Sequence, residues 1–199
     1  MIDLLENIKN KYSKKNVQSL CKKLQKKCSF KSENDISNLT DLAFWMYILG
    51  DIDNAEKLID LTKEVVFDGK YNIWDYIHTM WALKARILRE KGNIEVAKKI
   101  SATITANDRK LNKFFDTSEK MERFREDFIK RTTYEGIGYH EEIESELSNG
   151  DIKGANIWRF GSIMKYIRYK EEGIYPDLIE KDNQIEEEIN EFVKILKLA

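Results

Sequence analysis

One hexapeptide pattern, G-[DN]-I-x-x-A, occurs three times in the chain and constrains its fold more than any other feature. The copies are residues 50–55 (GDIDNA), 92–97 (GNIEVA) and 150–155 (GDIKGA). Glycine accepts the left-handed conformation that ends a helix, and the Asp or Asn after it can cap the next helix. The isoleucine is expected to pack near the turn, and the small alanine lets two antiparallel helices approach closely. Each copy therefore predicts a helix, a tight turn and a second helix.

The residues that precede the first two copies also agree with each other. An alanine stands seven positions before each glycine, at Ala43 and at Ala85. Large apolar residues lie four positions before and three positions after each alanine, namely Leu39 and Met46 in the first copy and Trp81 and Leu88 in the second. These spacings place the residues on one stripe of a helix. We expect both helices to bury this stripe.

A small residue in the first helix, glycine at the turn and alanine in the second helix together resemble the tetratricopeptide repeat over residues 36–106. The resemblance implies antiparallel helix hairpins, stacked as a short solenoid or right-handed helical array. Three features depart from the family: the first two glycines are 42 residues apart where the family's period is about 34, no proline ends the repeats, and the third copy matches only at the turn. Residues 71–93, YNIWDYIHTMWALKARILREKGN, are also similar to a family of uncharacterised bacterial helical proteins.

Composition supports an all-α fold. The chain has one proline and nine glycines, which is little material for many tight turns, and no segment has a convincing strand pattern. We expect a single all-α domain over residues 1–199, which includes a helix over about 117–134. Its predicted parts are a basic N-terminal helix (1–35), two helix pairs (36–106), and further helices with a degenerate third repeat and a C-terminal capping helix (107–199). The two pairs are expected over about 36–49 with 52–67 and 72–91 with 93–106, and the last helix is expected to start at about residue 175.

Charge is unevenly distributed in a chain whose net charge is −1. Residues 1–32 carry nine lysines and two acidic residues, whereas residues 141–199 carry fourteen acidic and eight basic residues. The N-terminal lysines are candidates for contact with nucleic-acid phosphates. Alternatively, they form the solvated face of the first helix and face the acidic C-terminal helix. Because no motif that reads RNA or DNA accompanies them, we expect the solvated face, and nucleic-acid binding is the alternative function.

No residue pattern indicates a catalytic, cofactor or metal site. The two histidines, His78 and His140, lack the partner spacing of a zinc-protease helix or of a di-iron bundle. Gly136 and Gly138 lack the third glycine of a dinucleotide loop, and no glycine follows Ser162 to make a nucleophile elbow. We therefore expect a protein that is not an enzyme and uses no cofactor. An enzyme of unrecognised type, assembled from scattered polar residues, is a further alternative.

Four residues are candidates for binding a partner. In tetratricopeptide-like arrays the inner face of the first helices receives the ligand, and this face lies about 100° round from each core contact. It carries Phe44 and Tyr47 in one repeat and Arg86 and Arg89 in the next. The aromatic rings would hold an apolar anchor, and the arginines would bind a carboxylate. Alternatively, the arginines pair with Glu90 or with other acids of the chain.

The leading hypothesis is a non-enzymatic interaction module that binds a peptide or protein partner. The N-terminus has no apolar run of signal-peptide length, and no segment reaches the roughly 20 apolar residues that cross a bilayer. We expect a cytoplasmic protein of bacterial type without a membrane partner. A narrower form of the hypothesis is an immunity-type protein that occludes a toxin.

The C-terminal helix has an apolar seam, which consists of Ile185, Ile189, Phe192 and Leu196. This seam either covers the end of the preceding repeat or pairs with a second chain. The sequence is compatible with both arrangements, so it leaves the oligomeric state open.

Overall fold

The computed structural model describes residues 1–111, 133–172 and 176–199, and all regular secondary structure within these ranges is helical. The all-α prediction is therefore confirmed. Two compact units are present, Met1–Ile100 and Ser101–Ala199, and a single domain over the whole chain stays a prediction. The helices are α1 (Ile2–Lys11), α2 (Lys15–Lys26), α3 (Glu33–Ile48), α4 (Ile52–Asp60), α5 (Tyr71–Glu90), α6 (Ile94–Leu111), α7 (Tyr134–Ile137), α8 (His140–Ser148), α9 (Ile152–Glu172), α10 (Pro176–Glu180) and α11 (Asp182–Leu198).

The three hexapeptide turns have one geometry, which confirms the predicted helix–turn–helix units. Gly50, Gly92 and Gly150 have φ values of 80°, 81° and 75°. Each glycine donates its backbone N–H to the carbonyl three residues back, and the next residue donates to the carbonyl five residues back, over 2.7 to 3.0 Å. These two hydrogen bonds satisfy backbone carbonyls at the end of the first helix. The motif alanines are all fully buried, namely Ala55, Ala97 and Ala155.

The motif isoleucine departs from the prediction in two of the three copies. Ile52 is half-buried, but 41% of Ile94 and 64% of Ile152 are exposed. At both of these turns the buried position is the alanine three residues later. The expectation that the isoleucine packs near the turn is therefore wrong for the second and third copies.

In the first unit, α4 runs antiparallel to α5. Trp81 Nε1 donates to Thr62 Oγ1 over 3.0 Å just beyond the C-terminal end of α4. Lys91 Nζ, just after α5, lies 2.5 Å from Glu56 Oε2. The sequence order of the two contacts is reversed between the elements, as antiparallel packing requires.

Helix α3 runs parallel to α5. Asn72 Nδ2 donates to Glu33 Oε2 over 3.0 Å at their N-terminal ends, and Arg86 Nε donates to Tyr47 Oη over 2.7 Å towards their C-terminal ends. The predicted stripe of α3 is fully buried, as is Ala85 on α5, whereas the large members of the second stripe, Trp81 and Leu88, are half-buried. Helix hairpins therefore stack side by side in this unit.

The predicted first helix is two antiparallel helices instead of one. Tyr12 leaves α1 in an extended conformation, with φ −122° and ψ 124°, and its hydroxyl donates to Asp51 Oδ2 over 2.7 Å. Gln18 of α2 donates to the Tyr12 carbonyl, and Gln25 donates to Glu6 Oε2 over 2.6 Å. Because Asp51 lies far along the chain, the local pattern did not indicate this break.

Two other predicted helices also differ from the structure. Helix α4 ends at Asp60, short of the expected residue 67, and turns and a loop follow it. The last helix is broken into α10 and α11 at Lys181. The helix that we expect over about 117–134 lies almost wholly outside the described residues.

In the second unit, α9 packs against α8 across the third turn and against α11. Tyr166 Oη donates to Glu188 Oε2 over 2.5 Å, and Lys170 Nζ lies 2.7 Å from Glu186 Oε2. The reversed order of these contacts makes α9 and α11 antiparallel. All four residues of the predicted apolar seam are buried, so the seam is covered within the chain.

Candidate functional site

The face predicted to form a ligand groove lies where α3 packs on α5. Phe44 is fully buried, and Arg86 is 7% exposed. Thr40, on the same face of α3, is also fully buried and donates to the Ile36 carbonyl over 2.9 Å. The expectation that Phe44 offers surface to a partner is wrong, because parallel neighbouring helices cover each other along this face. Tyr47 and Arg89 are half-buried.

Arg86 takes its acidic partner from its own chain. Its Nε lies 2.7 Å from Tyr47 Oη and 3.1 Å from Glu90 Oε1, and the Tyr47 hydroxyl donates to the same Glu90 oxygen over 3.1 Å. Burial raises the pKa of Tyr47 to about 12, against the opposing charge of Arg86. For Arg86 the alternative of pairing with Glu90 is therefore confirmed.

A second polar cluster, which sequence reasoning missed, surrounds the Glu188 carboxylate in the second unit. His140 Nε2 lies 2.7 Å from Oε1, while the Tyr166 and Tyr134 hydroxyls lie 2.5 Å and 3.2 Å from Oε2. The four side chains come from four helices: α7, α8, α9 and α11. No local spacing connects them, since His140 and Glu188 are 48 residues apart.

Gly138, between α7 and α8, makes the close approach within this cluster possible. A Cβ atom at this position would lie 2.2 Å from Tyr166 Oη and 2.3 Å from His140 Cε1. Real Cβ atoms do not approach other heavy atoms this closely, so a side chain here would displace the phenol and the imidazole. The glycine is therefore required by packing.

The Glu188 cluster is built to join helices. Burial, reinforced by Glu188, raises the pKa of both phenols, to about 12 for Tyr134. Both phenols therefore keep their protons at neutral pH and donate them to the carboxylate. With three donors around it, Glu188 is poorly placed to act as a base toward a ligand. The chemistry of this arrangement favours a structural role.

The described ranges contain neither a metal-binding cluster nor a helix that could span a membrane. No group of three or more His, Cys, Asp or Glu side chains there is placed to hold a metal ion. None of the described helices combines the length and the apolar composition that crossing a membrane requires.

Exposed apolar side chains flank the third turn. Leu147 is 43% exposed and Ile152 is 64% exposed, on either side of Gly150. Glu144 lies three residues before Leu147, on the same side of α8, and is exposed without an ion-pair partner among the described residues. We call Glu144, Leu147 and Ile152 the third-turn surface. It offers apolar contact next to negative charge.

The third turn buries its alanine and leaves its isoleucine exposed. Asp151 caps α9 by accepting the Gly154 N–H over 2.8 Å, and Ala155 fills the buried position of the turn. The repeated motif located this turn in the sequence, but it predicted a packed isoleucine and so gave no sign of the exposed surface.

Residues 2–197 match the model of a family of unknown function, DUF6707, and the chain belongs to that family. The match spans both compact units. No curated protein and no solved structure matches the chain.

Proposed function

We propose that this protein is a non-enzymatic interaction module, and that the third-turn surface binds a protein or peptide partner. One observation carries the proposal. An isoleucine recurs at a fixed position of a motif present three times, yet in the third copy it lies largely in water, close in sequence to the exposed Leu147. Burying such a side chain on binding is worth about 1.5–3 kcal/mol.

Charge favours a basic partner. Besides Glu144, α8 exposes Glu141 and Glu142, and none of the three has an ion pair among the residues that the structure describes. Glu141, Glu142 and Glu144 would therefore attract positive groups on a partner, which speeds association and sets orientation. The partner we expect presents an apolar side chain flanked by Lys or Arg.

The polar side chains of the Arg86 and Glu188 clusters bond to each other within the chain, which supports binding in preference to catalysis. Arg86 is engaged by Tyr47 and Glu90, and Glu188 is engaged by His140 and two phenols. An active site needs reactive groups that can reach a substrate. In both clusters the groups are directed at each other.

An immunity-type inhibitor of a toxin is the narrower form of this proposal. A toxin would then be the basic partner, and the third-turn surface would contact it. Co-expression tests this form: the protein must rescue cells from the product of a neighbouring gene. Failure to rescue would exclude the immunity-type form and would leave the wider proposal of a protein-binding module in place.

Affinity purification of the tagged protein from its native cells tests the wider proposal, with quantitative mass spectrometry of what co-elutes. The variant Leu147→Ser/Ile152→Ser removes the apolar contact. We expect it to reduce the captured partner by at least about tenfold.

The matched control is Ile157→Ser, which removes an equally exposed isoleucine (62%) from the same helix. It should leave capture within about twofold of the parent. Equal capture by the parent and by Leu147→Ser/Ile152→Ser contradicts the proposed surface.

A further inference from the structure

Helix α2 has two chemically distinct faces. The inner face is apolar and consists of the buried residues Val17, Leu20, Cys21 and Leu24. The outer face carries lysines, and one more follows directly after the helix. We call this group the lysine face, and it consists of the exposed residues Lys15, Lys22, Lys23, Lys26 and Lys27.

Four of the five lysines of the lysine face lack a counter-charge. Lys15, Lys22, Lys26 and Lys27 have no ion-pair partner among the described residues. Lys23 donates a 3.4 Å hydrogen bond to Asn38 and interacts electrostatically with the Asp41 carboxyl group. Other lysines of the same unit do have carboxylate partners. The distances are 3.3 Å for Lys9–Glu6, 2.9 Å for Lys11–Asp51 and 2.5 Å for Lys91–Glu56.

The lysines of this face form a row of single positive charges along α2. Helix α2 has 12 residues and is therefore about 18 Å long. Lys15, Lys22 and Lys26 are seven and four residues apart and share one stripe of the helix, while Lys23 lies on the adjoining stripe. Lys27 follows the helix in an extended conformation, with φ −158° and ψ 132°. Lysine is a compact charge that suits single phosphate oxygens and offers no bidentate recognition. The row thus matches a ligand with regularly repeated negative charges.

The residues of the lysine face favour a nucleic-acid duplex over an acidic protein or a single strand as the ligand. Its remaining exposed residues, Asn16 and Ser19, are polar, so it has no apolar or aromatic anchor for a protein partner. For the same reason it has no ring on which unpaired bases would stack. Lysine contacts phosphate oxygens as a single charge, and phosphate contacts carry no sequence information.

We propose that the lysine face binds the phosphate backbone of a nucleic-acid duplex, without sequence preference. The binding uses a different surface from the proposed protein contact and does not depend on it. The five lysines limit the salt dependence of binding. Because each lysine can neutralise one phosphate, the slope of log Kd against log salt is no steeper than about 4.5 for duplex DNA. The expected affinity lies in the range of non-specific binding, about 10⁻⁴ to 10⁻⁶ M.

Fluorescence anisotropy with a labelled DNA duplex of about 20 base pairs, between about 50 and 200 mM salt, tests this proposal. The full chain should bind with a Kd that rises with salt. Lys22→Glu/Lys26→Glu should weaken binding at least about tenfold, and Lys22→Gln/Lys26→Gln should lower the salt slope by about 2. The glutamine pair keeps the test decisive if the glutamate pair misfolds.

The matched control is Lys153→Glu/Lys194→Glu, which makes the same change in net charge at two exposed lysines of the second unit. It should bind the duplex within about twofold of the parent. Absence of binding at low salt, or equal loss in the test and control variants, overturns the proposal.

Two other polyanions, a single-stranded RNA and an acidic polypeptide, test whether the face prefers a duplex. Tighter binding of single-stranded oligo(U) of about 20 nucleotides would show that the face takes unpaired strands and not a duplex. Tighter binding of poly-L-glutamate would show that it takes acidic protein. Either result overturns the duplex proposal.

Discussion

At the scale of single residues, the turn glycines have the clearest role. Gly92 has a φ of 81°, and a Cβ atom added there would meet no heavy atom within 4 Å. Any cost of a side chain at this position is therefore conformational and not steric.

Gly92→Ala should lower the free energy of unfolding by about 1–2 kcal/mol, because L-residues other than Asn and Asp disfavour the left-handed region. Gly92→Asn should lose less, because asparagine tolerates this region. Urea denaturation of the three proteins measures the difference. An alanine variant as stable as the parent would contradict the observed turn geometry.

Asp41 on α3 gives a residue-scale prediction about pH. Burial raises the pKa of its carboxyl group from 3.8 to about 6, with Lys23 acting in the opposite direction. The folded protein therefore holds this proton more tightly than the unfolded chain does. The contribution of Asp41 to stability is fully present below about pH 4 and is lost as the pH rises through about 6.

Asp41→Asn should consequently be more stable than the parent above about pH 7, by about 1–3 kcal/mol. The difference should shrink as the pH falls towards about 4. Thermal unfolding of both proteins across this range provides the measurement. A constant difference between them at all pH values would exclude the titration of Asp41 as its cause.

At the scale of elements, the Glu188 cluster ties four helices of the second unit together. Gly138→Ala should destabilise the protein by about 1–3 kcal/mol, because the new methyl group would displace the Tyr166 hydroxyl and the His140 ring. Tyr166→Phe should cost about 1.5–3 kcal/mol, since it removes a hydrogen bond to a charged carboxylate.

The double variant Gly138→Ala/Tyr166→Phe should cost less than the two single changes added together, by at least about 0.5 kcal/mol. Removing the hydroxyl also removes the closest contact of the new methyl group. Chemical denaturation of all four proteins completes the cycle. Strict additivity would show that Gly138 and Tyr166 are not in contact.

The sequence predicted elements well where the signal is local. Each hexapeptide contains both the glycine that ends one helix and the alanine that packs in the next, so all three turns were predictable. Periodicity located α5 for the same reason, because Trp81, Ala85 and Leu88 follow helical spacing. The sequence did not predict the break between α1 and α2, because Tyr12 at this break hydrogen-bonds to Asp51, which is 39 residues away.

The burial of two predicted binding residues, Phe44 and Arg86, was hidden from the sequence for a related reason. Helical spacing shows which residues share a face, but it does not show whether a neighbouring helix covers that face. Phe44 and Arg86 lie on a face that α3 and α5 use for packing. The Glu188 cluster was equally hidden from the sequence, because its members meet only after α7, α8, α9 and α11 have packed.

At the scale of the whole molecule, the two proposed surfaces lie in different compact units and have opposite charge. The lysine face belongs to the first unit, and the third-turn surface belongs to the second. Their ligands should therefore bind independently. Sites without shared residues have additive free energies to within about 0.5 kcal/mol.

Exchanging the variants between the two assays tests this independence. Leu147→Ser/Ile152→Ser should bind duplex DNA like the parent, and Lys22→Glu/Lys26→Glu should capture the protein partner like the parent. Loss of both activities in either variant would show that the surfaces are coupled or that the variant is misfolded. Circular dichroism of each variant separates these two explanations.

Hydrogen–deuterium exchange of the full chain, with and without the co-purified partner, tests whether the partner binds at the third-turn surface. Binding at the third-turn surface buries the end of α8 and the start of α9. We predict that the partner slows amide exchange over residues 144–153 and leaves exchange in α3 and α5 unchanged. Protection confined to α3 and α5, or no protection anywhere, would contradict the proposal.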